Sequence, residues 1–282
     1  MKLPLLLLVT IALLSFAGPL LGTAFGLDVN AVDLLDRFAG PSYLHPLGTD
    51  ELGRDVLLRL LAGGRVSLVI GIAAALAAAA LGTLVGLVAG YLGGWTDRVL
   101  MRVTDAIIAL PLLPLLIVLA ALDLGKLGVP AALARSDDIS LVRIVVLAVL
   151  VGWTTAARLV RGATLVTRNR DFVRAARSLG AGVPHILLVH ILPNVLAPLI
   201  VATTLSVGDV ILLESVLSFL GLGIQPPLAS WGTMLSNAQQ LMSTAPLLAI
   251  YPGAMIFLTV IACNLFGDAL QQRLDRRETV RA

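Results

Sequence analysis

"VSLVIGIAAALAAAALGTLVGLVAGYL", residues 66–92, contains no charged side chain. Wound as an α-helix at about 1.5 Å per residue, it is about 40 Å long, more than the ~30 Å hydrocarbon core of a bilayer. Comparable apolar runs recur at 3–25, 99–122, 141–160, 194–220 and 246–267. Asp, Glu, Lys and Arg together make up 13% of the 282 residues, about half the ~25% of an average soluble domain, and the mean hydropathy is +0.98. The chain therefore reads as an all-α, polytopic membrane protein with six transmembrane helices.

Within the opening stretch, Gly82, Gly86 and Gly90 are spaced four residues apart, and Gly94 continues the series. At 100° per residue they form one slowly drifting stripe. Small residues at this spacing let two helix backbones approach closely in lipid, where no hydrophobic effect drives association. Glycine is also simply frequent in membrane helices, but four in register point to packing. The first run, 1–25, has Lys2, an apolar stretch and the small pair Gly22 and Ala24 at a signal-cleavage spacing. Its apolar part is longer than the ~7–15 residues of a signal core, which favours a retained anchor. On either reading residue 26 emerges outside.

Orientation follows the arginines. Arg161, Arg168, Arg170, Arg174 and Arg177 lie between the fourth and fifth runs, and Arg273, Arg276, Arg277 and Arg281 follow the sixth. Residues 222–247 contain neither Lys nor Arg. Segment 26–65 is mixed, with four arginines against five aspartates and one glutamate. Both termini are thus expected in the cytoplasm. The expected organisation is an anchor at 1–25, an extracytoplasmic segment at 26–65, a membrane domain at 66–272 and a cytoplasmic tail at 273–282. The net charge of +3 reports topology and gives no reason to invoke nucleic acid. With Cys263 as the only cysteine, an internal disulfide and a multi-cysteine metal site are excluded.

Two carboxylates interrupt the fifth run, "TLSVGDVILLESVLSFLGLG" at 204–223. Asp209 and Glu214 are costly at that depth and call for a partner or a watery path. Five residues apart, they diverge by about 140°, so they do not make an acid–base pair on one face. With Ser218 they are the candidate pathway residues, and hydrogen bonding to a neighbouring helix is an equal alternative. No zincin His-Glu pair, Gly-x-Ser-x-Gly elbow or phosphate-binding loop is present; Gly125-Lys126-Leu127 lacks the upstream glycine and the hydroxyl. His185 and His190 stand too far apart around a helix to share a metal. No metal site is expected.

One charged, broken segment stands apart: "DFVRAARSLGAGVPHILLVHILPN", 171–194. It reads as two short helices. Phe172, Ala175, Ala176 and Leu179 form an apolar stripe, with Arg170, Arg174 and Arg177 opposite. Gly180 to Gly182 end the first helix, and Pro184 starts a second that runs to Pro193. From pattern alone, a helix lying on lipid headgroups fits slightly better than an element that docks onto another protein.

The residues "RAARSLGAG…HILPN" resemble the cytoplasmic loop signature of ATP-binding-cassette importer permeases. Further blocks agree in order: "HPLGTDELGRDVLLRLLAGGRVSL" at 45–68, "GGWTDRVLMRVTDAIIALP" at 93–111 and "LLESVLSFLGLGIQPPLASWGTML" at 212–235. Together they are similar to the C-type subunit of the dipeptide, oligopeptide and nickel permease family. That resemblance implies a type I ABC importer transmembrane domain with a coupling loop at 161–192. It implies that Asp171, Phe172, Arg174, Ala175, Ala176, Arg177, Leu179, Gly180, His190 and Pro193 meet an ATPase subunit. Arg174 stands where the family usually has Glu, reversing that charge.

The resemblance also implies the partners: a second homologous permease subunit, two ATPase subunits that bind ATP and Mg, an extracytoplasmic substrate-binding protein and the bilayer of the bacterial inner membrane. The chain itself carries no ATPase site and no cofactor. The implied cargo is peptide; nickel or another small solute is the alternative, and an ion-coupled secondary transporter using Asp209 and Glu214 is the rival class.

Overall fold

The computed structural model describes residues 2–24, 27–122, 125, 130 and 137–279. Phe25, Gly26, Lys126, Leu127 and Arg281 lie outside the described residues, as do the side chains of Arg276 and Arg277. No strand element occurs among the described residues. Among the described residues, five helices are long and apolar enough to cross a membrane, and a bent pair brings the number to six.

The spans follow the hydropathy, with instructive differences at their ends. Helix α1 (Lys2–Ala24) packs on α2 and on the last helix. Helix α2 (Val56–Leu92) starts ten residues before the expected boundary at 66. Asp55 caps it, accepting from Leu58 N at 2.7 Å. The arginines that lowered the local hydropathy are accommodated by tertiary partners. Arg59 is buried, donates to Asn30 Oδ1 at 3.2 Å and lies 3.5 Å from Asp50, while Arg65 sits over the Phe16 ring. At 37 residues, about 55 Å, α2 stands well beyond a bilayer core.

The continuous third span expected over 99–122 is broken. Helix α3 (Gly94–Ala109) and helix α4 (Leu112–Ala120) meet at 86°. Pro111 has no N–H to continue the ladder and holds Leu110 in an extended conformation, ψ 137°. Helix α5 (Asp137–Thr167) follows. Next come α6 (Asp171–Ser178) and α7, which is continuous over Val183–Phe219. Two short helices, α8 (Trp231–Met234) and α9 (Ala238–Leu241), fold back before α10 (Leu247–Thr279), which runs past the expected end at 267.

The most extensive helix pair is α2 with α5, and glycines make it possible. A Cβ at Gly82 would lie 2.6 Å from Ala156 Cβ; at Gly86, 2.6 Å from Ala157 O and 2.7 Å from Val160 Cβ; at Gly90, 2.7 Å from Thr164 Cβ. Gly94 has open space instead and lies beyond the helix end, with φ +58°. The two helices touch backbone to backbone over two turns.

Replacing Gly86 by Leu should therefore separate α2 from α5, with an overpacking penalty of about 1–3 kcal/mol. The check is the thermal midpoint of the purified protein in detergent, which should fall by several degrees. An unchanged midpoint would contradict close packing at Gly86.

Candidate functional site

The basic loop between α5 and α7 is held by the ends of three helices. Arg168 Nη1 donates to Gly90 O at 2.7 Å and to Tyr91 O at 3.3 Å, satisfying carbonyls at the end of α2. Arg161 forks onto Asp97 of α3, with Nη2 to Oδ2 at 2.6 Å, and Arg158 donates to Asp105. A planar guanidinium on a carboxylate fixes orientation as well as distance.

Helix α6 meets this base through Val173, fully buried among Leu87, Val160, Ile186 and Ile191. The stripe of Phe172, Ala175 and Leu179 points the other way. Leu179 is 88% exposed, and Phe172 and Ala175 are also exposed. Only Ala176 of the expected stripe turns toward the bundle, half-buried. Arg177 is not opposed to the packed side: it donates to Tyr91 Oη at 3.2 Å and stacks 5.5 Å above that ring. Asp171 sits in the first turn, where a carboxylate suits the helix dipole. Arg174 is exposed, as is Arg170, the residue at the N-cap.

Gly180 terminates α6 with φ +86°, the left-handed region that glycine enters without strain. Ala181 N donates to Ala176 O and Gly180 N to Arg177 O, both at 3.0 Å, the double bond of a Schellman end. Beyond its chain neighbours, no atom of the described residues lies within 4 Å of a Cβ placed there, so the requirement for glycine is one of backbone.

The second short helix expected up to Pro193 is instead the first part of α7. Its residues Ile186–Ile191 form a wider π-turn, and Leu192 N reaches back to Leu187 O. The proline ring would crowd the carbonyl four residues earlier in an α-turn, and the wider turn relieves this. Asn194 Nδ2 fills in at His190 O, 2.7 Å away. His190 lies 6.4 Å from the Phe172 ring and 5.5 Å from His185. Among the described residues no group of three or more His, Cys, Asp or Glu is placed to hold a metal ion.

At the opposite end, Glu214 is fully buried. Its carboxylate accepts from Ser218 Oγ and Ser230 Oγ at 2.7 Å each and from Ser67 Oγ at 3.1 Å. These hydroxyls come from α7, the α8 N-cap and α2. Trp231, also fully buried, donates through Nε1 to Leu60 O at 3.0 Å. Ser218 Oγ additionally accepts from Ile224 N at 3.2 Å. Glu214 and Ser218 are thus brought together, and Asp209 is exposed elsewhere on the helix. Val173, Tyr91, Ser67 and Ser230 were not singled out from sequence, and Arg168 entered only through the loop's arginine excess.

Residues 82–280 match the protein family described as binding-protein-dependent transport system inner membrane component. The glutathione transport system permease protein GsiD of Pectobacterium atrosepticum is 42% identical over 237 residues, covering 84% of this chain and 74% of the relative. The oligopeptide transport system permease protein OppC of Bacillus subtilis is 35% identical over 271 residues, 96% of this chain and 83% of the relative.

Removing the Glu214 acceptor should be felt at three elements at once. Glu214→Ala should cost about 1–3 kcal/mol for each hydroxyl left without a partner, whereas Glu214→Gln retains an acceptor oxygen and much of the stability. Thermal unfolding of the two variants checks the order; Glu214→Ala as stable as the parent would contradict it.

Proposed function

The chain belongs to the family of binding-protein-dependent transport system inner membrane components, and from that premise we propose that it is a permease subunit of an ATP-driven peptide importer. The two relatives, named for glutathione and oligopeptide transport, support peptide as the cargo class. The chain pairs with a second homologous permease subunit, and an external binding protein delivers the peptide. ATP and Mg are bound by two separate ATPase subunits, so no covalent chemistry occurs here. The arginine-rich end, with both termini, faces the cytoplasm, as the distribution of basic residues favours.

The observation that carries this reading is the outward stripe of α6. Phe172, Ala175 and Leu179 are apolar, share one face and are left uncovered, on a helix whose other side is pinned by Val173 and Arg177. A rigid helix offering apolar anchors on one face, with the exposed Arg170 and Arg174 on the other, fits a groove on an ATPase subunit. Closure of the ATPases then pushes α6, and α6 moves α2, α5 and α7 as a body, switching the pathway between outward and inward access. His190 and Pro193 act one step behind, at the π-turn where α7 begins. Arg174 calls for an acidic counterpart on the ATPase.

Two substitutions test this in the assembled complex. Leu179→Asp puts a charge where the docked groove would be apolar and touches nothing inside the fold; binding-protein-stimulated ATP hydrolysis and uptake should both fall at least tenfold. Gly180→Val strains a left-handed position at about 1–2 kcal/mol and should misdirect the chain into α7, uncoupling in the same way while the spans stay folded. Normal stimulated hydrolysis and uptake in both variants would remove the docking role from α6.

A further inference from the structure

Helix α7 is walled in on three sides. Helix α10 lies along Gly208, where a Cβ would stand 3.5 Å from Val260 and 3.6 Å from Cys263, and Leu205 closes over Gly267. Helix α2 lies behind, with Ile211 against Gly71 and Glu214 on Ser67. On the remaining flank Val210 joins Ile70, Ile144 and Ala148, and Leu217 joins Leu116 and Leu147. What stays uncovered is a strip through Asp209, Leu212 and Val216, all exposed. At 100° per residue the three fall within about 60° of one another.

Asp209 makes no hydrogen bond or ion pair among the described residues. It lies ten residues, about 15 Å, from the helix end at Phe219, half the ~30 Å thickness of a bilayer core. A carboxylate at that depth is too costly to present to acyl chains, so the strip meets water or a polar group. No lysine or arginine occurs anywhere from Ser178 to Gln272, and none occurs in 66–92 or in α4. On the flanking α5, Arg158 and Arg161 are engaged by Asp105 and Asp97, and Arg143, next to Ile144, forms no ion pair with Asp209 among the described residues. The flanking Leu212 and Val216 are apolar and do not screen the charge, so its field reaches along the strip.

We propose that the strip of Asp209, Leu212 and Val216 lines the translocation path, and that Asp209 is its cation-attracting point, meeting the α-ammonium group of the passing peptide. The proposal rests on the peptide-importer reading above. It assigns this subunit a part in cargo handling inside the membrane. The contact is transient: one unpaired carboxylate on an apolar wall attracts an ammonium without the cage of donors that would trap it.

The test uses the assembled complex in membranes, with the buried native thiol removed by Cys263→Ser. In that background Leu212→Cys, and separately Val216→Cys, is exposed to impermeant cationic and anionic methanethiosulfonate reagents. Both positions should be modified, the cationic reagent reacting about tenfold faster relative to the anionic one than it does with a free thiol. Adding Asp209→Asn should bring that ratio close to the free-thiol value. A tripeptide amide, whose only charge is its α-ammonium, should slow modification, and its N-acetyl counterpart should not. No modification at either position would overturn the pathway assignment, placing the strip against lipid or a second subunit. A ratio indifferent to Asp209→Asn, or equal effects of the two peptides, would overturn the cation-attracting role. Loss of the importer reading has a separate signature, the absence of ATP-dependent peptide uptake by the unmodified complex.

Discussion

The close approach of α2 and α5 sets the rest of the architecture at the arginine-rich end. Because Gly82, Gly86 and Gly90 present no side chains, the backbone of α5 from Trp153 to Thr164 lies directly on α2. Arg168 then reaches the terminal carbonyls of α2, and Tyr91 stands where Arg177 can bond and stack on it. Val173 enters the pocket made by Leu87 and Val160, one residue from each of the two packed helices. The orientation of α6 is thus inherited from a helix–helix contact in the membrane. A push on α6 is a push on that pair, which is what a mechanical coupling element requires.

Helix α7 carries two carboxylates with opposite environments. Glu214 is enclosed by Ser67, Ser218 and Ser230 and ties the returning segment 220–246 to α2, with Trp231 as its apolar plug. Gly63 and Gly232 allow this closeness: added Cβ atoms would lie 3.0 Å from Ser230 C and 2.6 Å from Ser215 Cα. Asp209 faces away from all of this. A buried carboxylate held by several donors acts as a rivet, a role that the exposed Asp209, with no hydrogen bond among the described residues, does not share.

Much of the fold was legible because hydropathy over ~20 residues reports membrane crossing directly. The glycine spacing gave the packing face, and the ~140° divergence of Asp209 and Glu214 implied different surroundings for them. Which surroundings each has was not readable, since Ser67 is 147 residues from Glu214 in sequence. The start of α2 was misplaced because Arg59 lowers hydropathy while its partners Asn30 and Asp50 lie outside the helix, in the segment that precedes it. Pro111 and Pro193 look alike in sequence, yet one bends a span by 86° and the other is absorbed by a π-turn. The neighbours decide, not the proline. In α6 the apolar stripe was found, but its direction depends on Val173, a single residue outside that stripe whose pocket is built by three other elements.

The most direct measurement is photo-crosslinking from α6 in the assembled complex. A photoreactive side chain at Leu179, on the outward stripe, is compared with one at Leu188, exposed on the first turns of α7. Leu179 should crosslink to an ATPase subunit, and the yield should change when the ATPases are locked closed by a non-hydrolysable nucleotide. Crosslinks from Leu179 to phospholipid alone, unaffected by nucleotide, would contradict the coupling role and return the loop to a helix resting on the membrane surface.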